Sequence, residues 1–316
     1  DYWGSIICTM LTCFNKYNQM KNSKKELSYT NSLYLFLEKL YKYNQELWSE
    51  SYSESLNILA HSYYNIGKKD KAIELQEKAL MIIENGDFKN KDRWLESYSR
   101  ILNNLAYSYL NSEKKDKAIE LQEKALMIIE NGDFKNKDRC FQLYSRILHN
   151  LAYSYLNSEK KDKAIELQEK ALMIIKNGYF ENKDRWLESY SRSLNELANS
   201  YFKNEKIEKA IELQEKALMI IESGYFENKY KWLESYSLIL HNLSIFYFSF
   251  NKKEKAIELQ EKALIIIEDV YLKNKYGWRE LYSKISNSLY LLYSNHGKTS
   301  EAKSLLEKLQ KIQNNN

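Results

Sequence analysis

The sequence predicts an all-α protein in which seven helical repeats stack side by side as a solenoid. The segment Lys71–Leu80 (KAIELQEKAL) recurs letter for letter at four further places, starting at Lys117, Lys163, Lys209 and Lys255. A tryptophan keeps the same 46-residue period, with Cys140 in the one slot that lacks it: Trp48, Trp94, Trp186, Trp232 and Trp278. A fixed period of this size is typical of a stacked array, because one such repeat cannot bury its apolar face alone.

Counting in steps of 46 residues divides the chain into seven repeats, and residues at the same position in successive repeats form what we call a column. The repeats make one array over residues 1–316, with the bounds 2–47, 48–93, 94–139, 140–185, 186–231, 232–277 and 278–316. The first repeat is degraded but in register, since Tyr2 falls in the Trp48 column. We expect a single domain, because a solenoid grows in one direction as repeats are added.

The first half of each repeat predicts a helix, which we call helix A. In repeat 94–139 it covers about 94–111, and its apolar residues recur at spacings of three and four: Trp94, Tyr98, Ile101, Leu102, Leu105 and Tyr109. A short polar connection, 112–115, follows it. Glycine replaces Glu113 in two other repeats, at Gly67 and Gly297, as a tight turn between helices favours.

The second half predicts helix B, for which Asp116 is the expected N-cap. Its apolar stripe is Ala118, Leu121, Ala125 and Ile129, and Gly132 is expected to end it in a left-handed conformation. Gln122 falls inside this stripe and recurs in every full repeat after the first. We favour a position at the edge of the core with the amide reaching solvent. The alternative is a glutamine ladder that bonds from repeat to repeat, because a buried amide needs partners.

The hairpin resembles the tetratricopeptide repeat. The places where that motif has a large residue, Leu, a small residue and Tyr hold Leu102, Leu105, Ala106 and Tyr109, and its helix B alanines match Ala118 and Ala125. The period exceeds the usual 34 residues by 12, which looks most like the longer repeats of the kinesin light chain type. The resemblance implies a right-handed α-solenoid whose A helices line a concave groove that binds peptides.

The helix A residues opposite the apolar stripe are therefore the expected partner-binding residues. Asparagine offers both a donor and an acceptor to a peptide main chain, arginine favours acidic groups, and tyrosine gives a flat apolar contact. The set comprises Arg100, Asn103, Asn104, Tyr107, Arg146, His149, Asn150, Tyr153, Arg192, Asn195, Asn199, His241 and Asn242. A plainer interpretation pairs Arg100 with Glu96 and Arg192 with Glu188 one turn back, as ordinary surface ion pairs.

Composition argues against other function classes. The formal net charge is +5, but repeat 94–139 carries eight basic and eight acidic residues, so a nucleic-acid partner is disfavoured. Three cysteines form no disulfide framework, and the longest apolar run, 6–14, is too short to span a bilayer. The four histidines are scattered, and no nucleophile–base pair or phosphate-binding glycine loop is present. We expect no enzyme activity, no cofactor, no bound metal and a cytoplasmic location.

The sequence thus favours a scaffold that binds a protein or peptide partner, with possible acidic groups, in the groove lined by helix A. A second hypothesis is a ligand-sensing repeat portion of a larger signalling or defence protein. It rests on the first residue, Asp1, which is not a methionine, and it places an effector domain upstream.

Overall fold

A computed structural model describes residues 23–86, 91–132, 137–273 and 275–314. Within these ranges the chain is an all-α repeat solenoid of thirteen helices, and no strand occurs in them. Helix A of the first repeat and the cysteines at positions 8 and 13 lie outside the described residues. The chain divides into two compact units, an N-terminal unit of residues 1–167 and a C-terminal unit of residues 168–316.

The helices, numbered in chain order, alternate between the two types predicted for each repeat. The B helices are α1 (Ser23–Tyr43), α3 (Lys69–Asn85), α5 (Lys115–Asn131), α7 (Lys161–Glu181), α9 (Ile207–Glu227), α11 (Lys253–Lys273) and α13 (Thr299–Asn314). The A helices are α2 (Gln45–Asn65), α4 (Lys91–Leu110), α6 (Lys137–Asn157), α8 (Lys183–Lys203), α10 (Lys229–Ser249) and α12 (Lys275–Asn295).

Each helix packs against the next one along the chain within each unit. In the N-terminal unit this holds from α1 to α6, and in the C-terminal unit from α8 to α13. Successive A helices also contact each other directly: α2 with α4, α4 with α6, and α8 with α10. The predicted apolar stripes form the core, where Leu105, Ala106, Ala118 and Ala125 are fully or almost fully buried.

The predicted tight turn between helix A and helix B has a left-handed residue at the column of Glu113. Gly67 and Gly297 have φ of 81° and 74°, and Glu113 has φ of 64°. The φ angle is also near 60° at the other residues of this column, Glu159, Glu205 and Asn251. Next to it, the N–H of Lys114 donates to the carbonyl of Tyr109 at 3.0 Å, which satisfies a terminal carbonyl of helix A.

Two expectations about the ends of helix B are wrong. Helix α5 begins at Lys115 after the N-cap Lys114, which makes no side-chain cap, and Asp116 lies inside the first turn. The left-handed turn at Glu113 fixes this start, since the carbonyl of Lys114 already accepts from Ala118 at 3.1 Å. Asp116 then acts only through its charge near the positive end of the helix dipole. At the other end Gly132 is extended, with φ −80° and ψ 136°, and not left-handed.

Two glycines of the Gly132 column do not stop a helix at all. Gly178 lies inside α7 and Gly224 inside α9. A Cβ built on Gly178 would approach the indole of Trp186 to 2.6 Å, and one on Gly224 would meet Trp232 at 3.0 Å. The glycine is therefore needed for close packing of the tryptophan that begins the next repeat. This agrees with the burial of Trp186 and Trp232, and of Cys140 in the same column.

The favoured interpretation of the glutamine column is also wrong. All five glutamines are buried, with Gln122, Gln214 and Gln260 fully so. In the C-terminal unit the amide of Gln214 donates to the carbonyl of Ile239 at 3.1 Å, and Gln260 donates to that of Ile285 at 2.8 Å. These bonds link helix B of one repeat to helix A of the next. They therefore join repeats, as the alternative interpretation proposed. Their acceptors, however, are main-chain carbonyls and not other glutamines.

Candidate partner-binding face

The predicted binding residues of the N-terminal unit lie on α4 and α6, and they differ in how far they are exposed to solvent. Arg146, Tyr107 and Tyr153 are exposed, and Asn103 is buried. Arg100, Asn104, His149 and Asn150 are half-buried. We call this surface, made by the columns of Arg100, Asn103, Asn104 and Tyr107, the A-helix face. Its exposed side chains in this unit are those of Arg146, Tyr107 and Tyr153, whereas Arg100 and the asparagines lie deeper.

Arg100 is paired across repeats and not along its own helix. Its Nη2 lies 2.8 Å from Oε2 of Glu54, which occupies the same column one repeat earlier. The same nitrogen donates to Oγ of Ser97 at 3.3 Å. The plainer interpretation, a pair with Glu96, is therefore wrong for Arg100, which forms an ion pair between adjacent A helices because α2 and α4 are in direct contact.

Arg146 is the next residue of this column after Arg100. Its neighbour in the preceding repeat is the positively charged Arg100, whereas the corresponding neighbour of Arg100 is the acidic Glu54. Its guanidinium makes no hydrogen bond and no ion pair with any residue that the structure describes. Arg146 is exposed as a residue, yet desolvation of its guanidinium by the surrounding protein, followed by the charge of Arg100, lowers its pKa, against the opposing effect of Glu54 and Glu96. The group remains cationic at neutral pH and has unused donors.

The asparagines bond to each other from repeat to repeat. Nδ2 of Asn104 donates to Oδ1 of Asn57 at 3.2 Å, and Nδ2 of Asn150 donates to Oδ1 of Asn103 at 3.0 Å. Each pair spans 47 residues and joins consecutive A helices. These amides therefore hold the A-helix face together, and they have less free bonding capacity for a peptide than their sequence pattern suggested.

The tyrosines form a cluster on the same face, two turns along helix A from the arginines. The rings of Tyr64 and Tyr107 are 5.6 Å apart and tilted by 53°. Burial, with the neighbouring Tyr107 and Tyr153, raises the pKa of Tyr64 to about 12. Since Tyr107 and Tyr153 remain exposed, the cluster presents two aromatic surfaces to solvent.

The C-terminal unit repeats part of this arrangement on α8 and α10. Arg192 is exposed, Asn195 and Asn199 are half-buried, and His241 and Asn242 are buried. Oδ1 of Asn195 accepts from Asn242 at 2.9 Å and from Gln214 at 2.8 Å. Arg192 makes no pair with Glu188 in the described structure, which removes the plainer interpretation for this arginine as well.

His241 is the one predicted binding residue with a strongly shifted ionisation. It is buried, and its Nδ1 faces the amide of Gln260 at 3.0–3.2 Å. Burial and the positive charge of Lys284 lower its pKa to about 4, although the contact with Gln260 opposes this shift. His241 is therefore neutral at physiological pH and belongs to the repeat interface.

Sequence reasoning missed a second set of contacts between repeats, in which tyrosine, glutamate and lysine meet. Tyr247 donates to Oε1 of Glu215, while Nζ of Lys255 lies 3.3 Å from that oxygen and 2.5 Å from the tyrosine hydroxyl. The hydrogen bond from Tyr247, aided by Lys255 and opposed by burial, lowers the pKa of Glu215. The sequence did carry a signal for this contact. The tyrosine, glutamate and lysine columns hardly vary from repeat to repeat, and the glutamate precedes the tyrosine by 32 residues and the lysine by 40 residues.

Two further observations limit the kinds of site that the described residues can form. Among them, no three histidine, cysteine, aspartate or glutamate side chains converge to hold a metal ion. No described helix has the length and apolar character that crossing a bilayer requires.

Comparison with known proteins supports the repeat assignment. The profile described as tetratricopeptide repeat matches residues 53–85, 99–131, 145–177 and 191–223, and a second tetratricopeptide repeat profile matches 238–274. Together these segments cover just over half of the chain. No curated protein sequence matches it.

Solved structures show the same fold at low sequence identity. BtubC (BKLC) from P. vanneervenii is 20% identical over 79% of this chain and 92% of its own, with a TM-score of 0.66. A putative kinesin light chain with nearly identical TPR-like repeats, from Podosopora anserina, is 23% identical over 69% of this chain and 95% of its own, with a TM-score of 0.55.

A third structure is larger than this chain. The signal transduction ATPase with numerous domains and a tetratricopeptide repeat sensor, PH0952 from Pyrococcus horikoshii, is 18% identical, with a TM-score of 0.67. The match covers 96% of this chain and 41% of that protein. At these identities the likeness concerns the fold, whereas the repeat profiles identify the sequence: the chain belongs to the tetratricopeptide repeat family.

Proposed function

We propose that this protein is a non-catalytic interaction module whose A-helix face binds a peptide segment of a protein partner. In the N-terminal unit, Arg146 receives an acidic group of the partner, and Tyr107 and Tyr153 give its apolar side chains a flat contact. The observation that carries the proposal is that Arg146, an exposed residue, has no hydrogen-bond or ion-pair partner among the described residues. A cation with five donors and no acceptor favours a carboxylate-bearing ligand.

The asparagines take a different role from the one that the sequence suggested. Because Asn57, Asn103, Asn104 and Asn150 bond in pairs, they keep consecutive A helices at a fixed spacing. The half-buried Asn104 and Asn150 keep an acceptor that can reach a peptide main chain, whereas the buried Asn103 serves the interface. In the C-terminal unit, Arg192 offers a separate exposed cation. The other predicted residues of this unit lie around that cation or stabilise the face that carries it: Asn195, Asn199, His241 and Asn242.

The proposal is tested by selecting ligands from a library of short random peptides displayed on phage, with the intact chain immobilised. We expect enrichment of acidic peptides. Their affinity should fall when Arg100, Arg146 and Arg192 are all replaced by alanine, while the helical circular dichroism signal stays the same. Peptides that bind the triple variant as tightly as the native chain would show that the A-helix face is not the binding site.

A second candidate function is the sensor portion of a larger signalling protein. It is favoured by the fold likeness to the ATPase with a tetratricopeptide repeat sensor, of which this chain matches 41%. Under this proposal, ligand binding to the repeats would control an effector domain encoded upstream. Sequencing the gene upstream of the codon for Asp1 tests it. An open reading frame that encodes a nucleotide-hydrolysing, nuclease or protease domain is expected, and a start codon directly at this position contradicts it.

A further inference from the structure

A further tyrosine–glutamate–lysine cluster joins successive repeats near the end of helix B. Its glutamate accepts a hydrogen bond from a tyrosine of the next helix A and lies beside a lysine of the next helix B. In the C-terminal unit, Tyr236 donates to Oε1 of Glu222 at 2.7 Å, and Nζ of Lys262 lies 3.0 Å from the same oxygen. In the N-terminal unit the two distances are 2.6 Å and 2.9 Å, in the cluster made by Tyr98, Glu84 and Lys124.

The glutamate column of this cluster contains one lysine. From position 38 to position 268 its members are Glu38, Glu84, Glu130, Lys176, Glu222 and Glu268. The tyrosine and lysine columns are unchanged in the corresponding repeats, at Tyr190 and Lys216. The positions 176 and 216 therefore carry two positive charges, whereas the other clusters carry one charge of each sign.

Positions 176 and 216 lie on neighbouring B helices, α7 and α9. Two turns earlier on the same two helices, Nζ of Lys209 lies 3.3 Å from Oε1 of Glu169. Seven residues complete about two turns of a helix, so positions 176 and 216 face each other on the same side as this ion pair. Both lysines are exposed, whereas Tyr190 is buried.

Lys216 has lost the partner that its column has elsewhere. It makes no hydrogen bond or ion pair with any residue that the structure describes. Glu212, one turn earlier on the same helix, does not replace that partner, just as Glu258 leaves Lys262 to pair across the repeats. The ammonium group of Lys216 therefore has three donors available to a ligand.

We propose that Lys176 and Lys216 bind a phosphomonoester carried by a protein partner. The site lies on the B helices of the C-terminal unit, apart from the A-helix face. In the sister clusters a carboxylate of the chain itself accepts from the tyrosine and the lysine, and here the ligand brings the anion. Lysine suits phosphate because its ammonium is a compact charge with three rotatable donors.

Charge balance favours a phosphomonoester over a carboxylate at this site. A phosphomonoester carries about 1.5 to 2 negative charges at neutral pH, which matches two ammonium groups. A single carboxylate would neutralise only one of them. The ligand thus restores the neutrality that a glutamate gives the other clusters.

The neighbouring side chains favour a phosphorylated protein segment over a lipid headgroup. Met173 and Met219 lie about one turn from the two lysines and are 67% and 73% exposed. Their flexible thioethers give the side chains of a peptide an adaptable apolar contact. Glu169 and Glu212 are exposed on the same two helices, and their charges would be repelled by an anionic membrane surface.

The first experiment measures the mean affinity of two pools of fluorescent, capped heptapeptides for the intact chain. One pool has phosphoserine at its centre and random residues elsewhere, and the other has serine at its centre. Lys216→Ala removes the unpaired ammonium group. Lys262→Ala is the matched control, because it removes the same residue from a cluster in which Glu222 already balances the charge.

We expect the native chain to bind the phosphoserine pool more tightly than the serine pool. Lys216→Ala should weaken binding of the phosphoserine pool by about tenfold, the size of one charge-assisted contact. Lys262→Ala should change it by less than about twofold, since screening limits the reach of a distant surface charge. Equal losses for the two variants would overturn the proposal, and so would equal affinities of the native chain for the two pools.

A second experiment tests the arrangement of the two lysines without a ligand. Lys176→Glu introduces the residue of the sister clusters, so it should raise the urea midpoint of unfolding and abolish the preference for phosphoserine. Lys176→Met removes the charge and should give intermediate values of both quantities. A lower midpoint for Lys176→Glu than for the native chain would show that the lysines do not meet across the repeats.

The source of the anion is tested by exchanging the probe. A pool with glutamate at its centre that binds as tightly as the phosphoserine pool would refute the preference for a dianion. Vesicles that contain phosphatidic acid supply the same phosphomonoester on a membrane. Vesicle binding that is lost in Lys216→Ala, without any binding of the phosphoserine pool, would refute the protein partner.

The site is also separable from the A-helix face. Replacing Arg100, Arg146 and Arg192 with alanine should leave the preference for phosphoserine unchanged, because none of these arginines belongs to the B helices. A loss of that preference in the triple variant, with none in Lys216→Ala, would place the phosphate on the A-helix face and overturn the proposal.

Discussion

Individual residues show how strongly a polar side chain depends on its neighbours in the adjacent repeat. Gln214 is buried and bonded, although the sequence placed its column at the edge of the core. Glu113 holds a backbone conformation that suits glycine, because the Schellman-type turn between the helices requires a positive φ there. His241 stays neutral because burial and Lys284 both oppose its protonation.

We predict that Glu113→Gly stabilises the protein. A non-glycine residue in the left-handed region costs about 1–2 kcal/mol, part of which is offset by the greater freedom of glycine in the unfolded chain, so the expected gain is about 0.5–1 kcal/mol. Urea unfolding followed by circular dichroism at 222 nm would measure it. The matched control is Gly67→Ala, which should be destabilising at φ 81° although nothing lies within 4 Å of the new Cβ. A lower midpoint for Glu113→Gly would contradict the prediction.

A pH prediction follows from His241. Its folded pKa of about 4 lies below the ordinary value of 6.5, so the unfolded chain binds the proton first as pH falls. The stability contributed by the neutral, buried ring is therefore complete above about pH 6.5 and is lost progressively down to about pH 4. Between about pH 7.5 and about pH 5.5 the loss should be about 1 kcal/mol, measured as a shift in the urea midpoint.

The control for this prediction is His241→Asn, which introduces the residue found at Asn195 in the same column. This variant should have a flatter pH dependence in the same interval, because asparagine does not titrate. The same slope in both proteins would show that His241 does not control it.

At the scale of the helix, the repeats are joined by side-chain contacts between different helices. The start of each described helix A from α8 to α10 packs its tryptophan on a glycine inside the preceding helix B. Tyrosine, glutamate and lysine meet across the same interfaces, as Tyr247, Glu215 and Lys255 show. Helices α7 and α9 continue past these glycines, and the tryptophan fits there only because no Cβ is present.

We predict that Gly178→Ala is destabilising even though alanine is the better helix former. The new Cβ would lie 2.6 Å from the indole of Trp186, and overpacking of this kind costs about 1–3 kcal/mol. Urea unfolding of the native chain, Gly178→Ala, Trp186→Cys and the double variant gives a double-mutant cycle. Cysteine replaces the tryptophan because Cys140 occupies the same column in another repeat. The cost of the alanine should largely disappear in the Trp186→Cys background. An equal cost in both backgrounds would exclude the steric cause.

At the scale of the whole chain, the 46-residue period reproduces the same tyrosine–glutamate contact between successive described repeats. Tyr109 bonds to Glu77, and Tyr155 to Glu123, at the same separation of 32 residues. Stability in such arrays is approximately a sum over repeats and nearest-neighbour interfaces. A complete repeat is therefore the smallest segment whose removal keeps the remaining repeats in register.

We predict that deletion of residues 94–139 leaves a folded array. The deletion places Glu77 at the 32-residue separation from Tyr155 that it had from Tyr109, so the interface re-forms. Circular dichroism should show the same ellipticity per residue, with a lower unfolding midpoint because one interface is lost. Deletion of residues 105–141 is the control, since it removes a similar length but joins two A helices out of register. Similar unfolding of the two deletions would refute the role of the period.

The amino-acid sequence alone established the repeat, the phase of both helices, the tight turn between them and the family resemblance, because each depends on local periodicity or on residues of one hairpin. Only the tertiary structure decided which polar columns are open to a partner. Asn103 with Asn150 and Arg100 with Glu54 are 46 or 47 residues apart, and Gln214 reaches Ile239 across a repeat boundary. These contacts depend on the spacing and tilt of neighbouring helices, which a one-dimensional period does not specify.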